Sequence, residues 1–289
     1  MSPLDYIPFC SLPSFVGIEA GETVLLASDL TRLAMTAMRQ GDRFNPDKLI
    51  DCFLEILGKE GTLILPAFNF NFTGGETFDR ERSLPITGAL AETALKRNDF
   101  KRTRHPLHSF LVSGRYAVEL AKMNNDSSFG EDSPFAFFKD KNAVMLMIGT
   151  TVNQAFTFVH YVEELEKVKY RYYRKVQVKY ITTAEDPEWR EYRIYAKKQG
   201  WTMNLSRLEN IFRDKGILTD KEFNGIRCSI VRLGDAFPII RDDILLNGAA
   251  NISHFSPRLM FREYLKKLLA SLHLYKTLTE KIIHDAGPR

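Results

Sequence analysis

A chain of 289 residues, 44% hydrophobic and 26% charged, has the composition of a globular protein with a sizeable core. No apolar run approaches the roughly 20 residues that span a bilayer, and the first residues show no basic-then-apolar secretory pattern. The net charge of +4 is mild. Its basic residues are mixed with acids, which argues against a nucleic-acid protein and suits a small polyanion such as a nucleotide or coenzyme A. Cys10, Cys52 and Cys228 are far apart and odd in number, so they predict no disulfide framework and a cytoplasmic location.

Residues 23–27 read as a short buried strand, followed by a loop in which Ser28 or Asp29 caps a helix over 30–40. Asn45-Pro46-Asp47 starts a second helix that runs to Leu57, where Gly58 and Gly61 stop it. Residues 62–66 are a second buried strand closed by Pro66. This strand–helix–strand order predicts an α/β class. Residues 67–82 read as a long aromatic loop with Phe68, Phe70, Phe72 and Phe78 among Asn69, Asn71, Gly74, Gly75 and Asp79. A loop of that length is either functional or anchored by its aromatic rings.

A helix over 85–95, a strand over 110–112 and a helix over 117–123 come next. Asp132 or Ser133 before Pro134 marks another helix start. Residues 143–148 form the most hydrophobic strand, ended by Gly149, and lead to a helix carrying His160. The interleaved Lys, Arg and Tyr of residues 167–179 have the make-up of a nucleic-acid surface, and are read in preference as an amphipathic strand with long basic stems on its wet face. A helix over 205–215, a strand over 227–233, a polar patch after Gly234, a helix over 255–272 and a tail helix from Thr277 complete the chain. No repeat or low-complexity linker divides it, so residues 1–289 are expected to form one domain, with a core over 20–180 and a divergent part over 181–289.

Two motifs carry chemistry. His160 and Glu163 lie three apart, which on a helix puts imidazole and carboxylate on one face within hydrogen-bond reach. A histidine held by a carboxylate is a general base of fixed tautomer, although such a pair also occurs on ordinary helix surfaces. Arg104-His105-Pro106-Leu107-His108-Ser109 packs two imidazoles, a hydroxyl and a cation into six residues. A metal held by His105, His108, His160 and Glu163 is weighed and not adopted, because the first pair lacks the helical His-Glu-x-x-His spacing. Ser109 as a nucleophile lacks a Gly-x-Ser-x-Gly elbow. No Gly-x-Gly-x-x-Gly or Walker loop is present.

Five ordered stretches resemble the aminoglycoside 3-N-acetyltransferase family, the antibiotic N-acetyltransferases. They are Gly61-Thr62-Leu63-Ile64-Leu65-Pro66; Phe78-Asp79 with Ile86-Thr87-Gly88-Ala89-Leu90 and Glu92; Arg104 to Phe110; Phe129-Gly130 with Ser133-Pro134; and Thr157, His160 and Glu163. The resemblance covers about residues 20–180. It implies a single α/β domain with a mixed central sheet flanked by helices. It also implies transfer of an acetyl group from acetyl-CoA to an amine of an amino sugar or aminoglycoside-like acceptor. His160 would be the general base, Glu163 its orienter, and Asp79 a holder of the cationic acceptor.

Ser28, Asp29, Leu30 and Thr31 would receive the coenzyme, with His105 and Ser109 on its wall. The implied partners are the amine acceptor and coenzyme A, with no nucleic acid, no membrane and no metal; a homodimer is an assembly this allows. Two departures stand out. Ala27-Ser28-Asp29-Leu30 replaces a His-Ser-Ser-Leu-like turn, and Leu107 replaces a threonine. A carboxylate at 29 is unfavourable beside a pyrophosphate unless it points away. The alternative is a degenerate relative that binds a sugar or nucleotide without acyl transfer.

Overall fold

The structure is a computed structural model that describes residues 6–71, 77–181 and 187–266. Strands β1 (Thr23–Ser28), β2 (Thr62–Pro66), β3 (Thr77–Asp79), β4 (Lys101–Arg102), β5 (Phe110–Gly114) and β6 (Val144–Ile148) precede the long pair β7 (Arg171–Ile181) and β8 (Glu188–Lys197). Strands β9 (Trp201–Met203), β10 (Leu218–Phe223), β11 (Ile226–Arg232) and β12 (Ser253–Phe255) follow. The central sheet has the order β10-β11-β6-β1-β2-β5-β4. Its β6, β1 and β2 are mutually parallel, while β5 and β11 run antiparallel to their neighbours. This is the mixed sheet that the family resemblance implies.

Both faces of this sheet are covered. Leu25, Ile64, Val112, Met145 and Met147 point into one core, and Val24, Leu26, Leu63, Leu65, Leu146 and Ile148 into the other. Successive side chains alternate between faces, so a strand buried on both sides reads as the unbroken apolar run seen in β6. The helices are α1 (Leu12–Val16), α2 (Thr31–Arg39), α3 (Pro46–Leu57), α4 (Ala89–Ala94), α5 (Ala117–Lys122), α6 (Pro134–Asp140), α7 (Val152–Ala155), α8 (Val159–Leu165), α9 (Ser206–Asp214) and α10 (Leu233–Asn247). Asn45 caps α3 by accepting the Asp47 amide at 2.8 Å, with Pro46 at the first helical position.

Several expectations change. The polar patch after Gly234 is the 15-residue helix α10, which holds Pro238 in its interior. Proline removes a helical donor, but Leu233, Ala236 and Ile240 are fully buried and anchor the helix in the core. The aromatic loop contains β3, which joins β7 and β8 in a second sheet. The helix expected from Phe255 begins after β12, at 257. Phe72, Gly74, Gly75 and the tail from Thr277 lie outside the described residues. Cys10 and Cys52 form a disulfide, with Cα atoms 5.5 Å apart, whereas Cys228 is free and buried. The 42-residue separation hides this pair in the sequence, and it removes the cysteine argument for a reducing compartment. Among the described residues no helix is long and apolar enough to cross a membrane.

Candidate active site

β1 sits where the chain changes direction across the sheet. Its exit leads through α2 and α3 to β2 on one side, while β6, its other neighbour, is followed by β11 further out. In such sheets the diverging loops leave a crevice at the carboxyl ends of the strands. A cleft of about 190 Å³ lies there, lined by Ser28 from β1, Pro66 from β2, Thr150 and Gln154 after β6, Leu90 and Ala91 of α4, and Thr157. The strand ends meet closely. A Cβ on Gly149, at φ +65°, would stand 2.5 Å from the Asp29 carbonyl oxygen, so only glycine fits.

Thr157 leads from this cleft to α8, where the predicted pair forms: His160 Nδ1 lies 2.6 Å from Glu163 Oε2. Glu163 is fully buried, while the His160 side chain keeps 22% of its surface exposed and so can meet a substrate. An ionised carboxylate has no proton to give. The shared proton therefore belongs to Nδ1, which leaves the lone pair on Nε2.

Two residues that sequence reading missed complete the cluster. Arg171, the first residue of β7, places Nε 2.8 Å from Glu163 Oε2 and Nη2 2.9 Å from His160 Nδ1. The Tyr170 hydroxyl donates to Glu163 Oε1 at 2.7 Å. Both lie in the Tyr/Arg-rich run, where the alternation of a wet strand concealed them. A buried arginine at the strand's first position, against a buried glutamate, has no local sequence signal.

Electrostatics follow from these contacts. Burial and the adjacent Arg171 charge hold the His160 pKa below the ordinary imidazole value, against the opposing pull of Glu163. Burial alone would raise the Glu163 carboxyl. The hydrogen bond and charge of His160, with Arg171 and Tyr170, outweigh it and keep the group ionised below its ordinary value.

The other expected residues are placed variously. Ser28 lines the cleft, while Leu30 and Thr31 form the start of α2. Asp29 Oδ1 accepts the Thr31 amide at 3.0 Å, which lowers its pKa and turns the carboxylate onto α2. Ser109 is interior, its hydroxyl donating to the Ala67 carbonyl at 2.7 Å and accepting from Arg102 Nε at 2.9 Å. His105 is buried against Tyr192, and desolvation takes its pKa down to about 3. Neither His105 nor Ser109 lines the cleft.

His108 Nδ1 meets the Ser128 hydroxyl at 2.8 Å, and Phe129 bridges the His108 and His160 rings at 4.7 and 5.2 Å. Asp79 is not brought to this cluster. It pairs with Ile181, ten residues along β7 from Arg171, roughly 33 Å of extended strand. Its Oδ1 accepts the amides of Glu81 and Arg82. Among the described residues no group of three or more His, Cys, Asp or Glu side chains is placed to hold a metal ion.

The mixed sheet, the cleft at its switch point and the carboxylate-held imidazole next to it together define an α/β protein with a candidate site at the strand ends. The chain belongs to the aminoglycoside 3-N-acetyltransferase family, whose sequence profile matches residues 33–243, and it is on that ground an N-acyltransferase. No curated protein sequence matches it.

Among solved structures it is similar to an aminoglycoside acetyltransferase AAC-IIIb bound to CoASH, with TM-score 0.72, 17% identity, 88% of this chain and 99% of that one. It is also similar to aminoglycoside acetyltransferase AAC(3)-Xa, with TM-score 0.68, 19% identity, 82% of this chain and 90% of that one. The YokD protein of Bacillus subtilis aligns with TM-score 0.70 at 16% identity over 86% of this chain and 96% of that one. At these identities the likeness is one of fold.

Proposed function

We propose that the chain transfers the acetyl group of acetyl-CoA directly to an amine of an aminoglycoside or related amino sugar, with His160 as general base and Glu163 as its orienting carboxylate. The observation that carries this reading is the 2.6 Å His160–Glu163 contact, one helical turn from the cleft residue Thr157.

An ammonium group has no lone pair, so the acceptor must react as the neutral amine. Its nitrogen attacks the thioester carbonyl, Nε2 of His160 takes the departing proton, and the tetrahedral adduct collapses to amide and coenzyme A thiol. The imidazolium returns its proton to the leaving sulfur, so atoms and charge balance. A fixed Nδ1–H···carboxylate bond keeps the tautomer correct and steadies the cation formed midway. The lowered His160 pKa keeps the imidazole neutral at neutral pH, ready to accept. The likeness to AAC-IIIb bound to CoASH supports coenzyme A as the acyl carrier, and the cleft with Ser28 and Thr150 at its strand ends is the place this reading gives it.

Calorimetry with acetyl-CoA tests the first half of the reading, and thiol release across a panel of amino sugars tests the second. Absence of binding at millimolar acetyl-CoA would sink the transferase reading. Binding with no thiol release for any amine would favour a non-catalytic relative.

A further inference from the structure

Two sheltered arginines lie at the edge of the central sheet without a carboxylate to balance them. Arg102, on the edge strand β4, is 4% exposed, and Arg80, the residue after β3, is half-buried. Arg102 donates through Nε to the Ser109 hydroxyl at 2.9 Å, through Nη1 to the Ser83 carbonyl and through Nη2 to the Ala67 carbonyl at 3.0 Å. Arg80 donates through Nε to the Arg102 carbonyl at 2.8 Å and through Nη2 to the Ala121 carbonyl at 3.2 Å. Each of these acceptors is neutral, and among the described residues neither guanidinium makes an ion pair. The neighbouring Asp79 carboxylate is engaged in its own turn, where it accepts the Glu81 and Arg82 amides and has Arg82 Nε at 4.0 Å.

Buried charges are normally paired, because leaving water is costly for an ion. Here burial takes the Arg102 pKa down to about 10 and lowers that of Arg80 as well. The carbonyls fix both side chains in place but bring no negative charge. A guanidinium has five N–H donors. The named bonds use three in Arg102 and two in Arg80, so both keep donors for a further acceptor.

Both arginines line a cavity of about 570 Å³ between the turn after β3 and the strand β4. Arg82 and Lys101 line it too and are exposed, whereas Glu81 is the one acid on its wall. Arg97, a fifth cation there, already pairs with Asp47, Asp51 and Asp99. Four cations against one acid leave the cavity positive, and a concave wall of one sign focuses that potential on an anion. A single carboxylate would balance one of the four. An anion with several charges and many acceptor oxygens matches the whole set, and fixed guanidiniums suit phosphate oxygens in particular.

We propose that this cavity binds a small polyphosphate, a diphosphate group either free or carried by a nucleotide, with Arg80 and Arg102 as its fixed donors and Arg82 and Lys101 at its rim. No residue that lines it lines the cleft at Ser28, so it is a site apart from the one given to the coenzyme. It depends on no step of acyl transfer and is measured without turnover.

The test is calorimetric titration of pyrophosphate, and separately of ADP, at constant ionic strength into the protein free and saturated with CoASH. Wild type is compared with Arg80→Gln, with the rim double variant Arg82→Ala/Lys101→Ala, and with Lys59→Ala. Lys59 is exposed and precedes β2, away from the cavity, so it controls for net charge. Affinity for the tighter of the two ligands is expected to fall roughly tenfold or more in Arg80→Gln, the size of a lost hydrogen bond to a charged group. The double variant is expected to lose severalfold and Lys59→Ala to match the wild type. Melting temperatures report whether each variant is folded. If Arg80→Gln does not fold, the rim double variant carries the test.

Tighter binding of ADP assigns the diphosphate to a nucleotide, and tighter binding of pyrophosphate assigns it to the free anion; both retain the site. Absence of binding to the wild type by either ligand at millimolar concentration overturns the proposal. So does equal affinity in the wild type and the folded cavity variants, or an equal loss in Lys59→Ala, which would reduce the effect to net charge. Exclusion of both ligands by CoASH would assign the anion to the coenzyme's own site and overturn a separate one. A protein that binds pyrophosphate through Arg80 but never binds CoASH retains this site while the transferase reading fails.

Discussion

Arg171 and His160 meet across the same buried carboxylate: Arg171 Nη2 stands 2.9 Å from His160 Nδ1, and both residues contact Glu163 Oε2. Burial and a fixed cation beside the imidazole both penalise its protonated form, so Arg171 helps set the pH at which the proposed base becomes available. Replacing it by alanine removes that charge, and the His160 pKa is expected to rise. In a profile of kcat/KM against pH, the acid limb should move to higher pH in Arg171→Ala. The acceptor amine contributes the same limb in both proteins, so the difference isolates His160. An unmoved limb would separate Arg171 from the base.

Glu163 is the second hinge of the cluster. Truncating it to alanine leaves the buried Arg171 charge and the Tyr170 hydroxyl without their acceptor. Breaking a buried pair in this way costs about 3–5 kcal/mol. Glu163→Gln keeps the shape and a carbonyl acceptor, so it should lose less stability while still lowering turnover roughly tenfold or more through the wrong charge on the imidazole's partner. Denaturant unfolding and steady-state rates of the two variants check both halves.

Acid should loosen the fold through its buried histidines. Burial lowers the pKa of His105 to about 3, with His108 also pushed down by burial and its histidine neighbours, and His160 by burial and Arg171. A depressed folded pKa means that the unfolded chain binds the proton more readily. The stability of the neutral forms is complete above the unfolded value of about 6.5 and declines as pH falls below it toward the folded values. Glu163, also depressed, adds its loss at pH values below its unfolded value of about 4.3. Melting temperature should be level from pH 7 to 8 and fall steadily below about 6.5. A level melting temperature down to pH 5 would contradict the neutral assignment of these three rings.

Asp29 is the departure that bears on the coenzyme. Its carboxylate is tied to the Thr31 amide, so it neither lines the cleft nor leaves that amide free for a phosphate. Asp29→Ser preserves a side-chain oxygen for the helix start and removes the negative charge. Acetyl-CoA affinity measured by calorimetry should rise roughly two- to fivefold, the size of one exposed charge at a helix terminus. Unchanged affinity would put the coenzyme phosphates elsewhere.

Much of this architecture is legible in the sequence because local signals agree with the fold. Asn45-Pro46 and Ser133-Pro134 start helices, and the apolar runs at 62–66 and 144–148 are strands buried on both faces. His160 and Glu163 are legible because their spacing is a helical contact.

Arg171 and Tyr170 are not, since their contact with Glu163 is made by a strand and a helix whose docking no local period records. Pro238 and Gly234 disguise α10, whose stability comes from tertiary burial. The Cys10–Cys52 pair joins the segment before α1 to α3 across 42 residues, a juxtaposition the fold creates. Asp79, expected at the acceptor, instead closes its own turn at the far end of β7.

The most direct test of the central claim is release of coenzyme A thiol from acetyl-CoA in the presence of an amino-sugar acceptor, compared between the wild type and His160→Ala. The account predicts turnover in the wild type and a loss of roughly 10²–10⁴-fold in the variant, with acetyl-CoA binding retained. Undiminished turnover in a folded His160→Ala protein would contradict it.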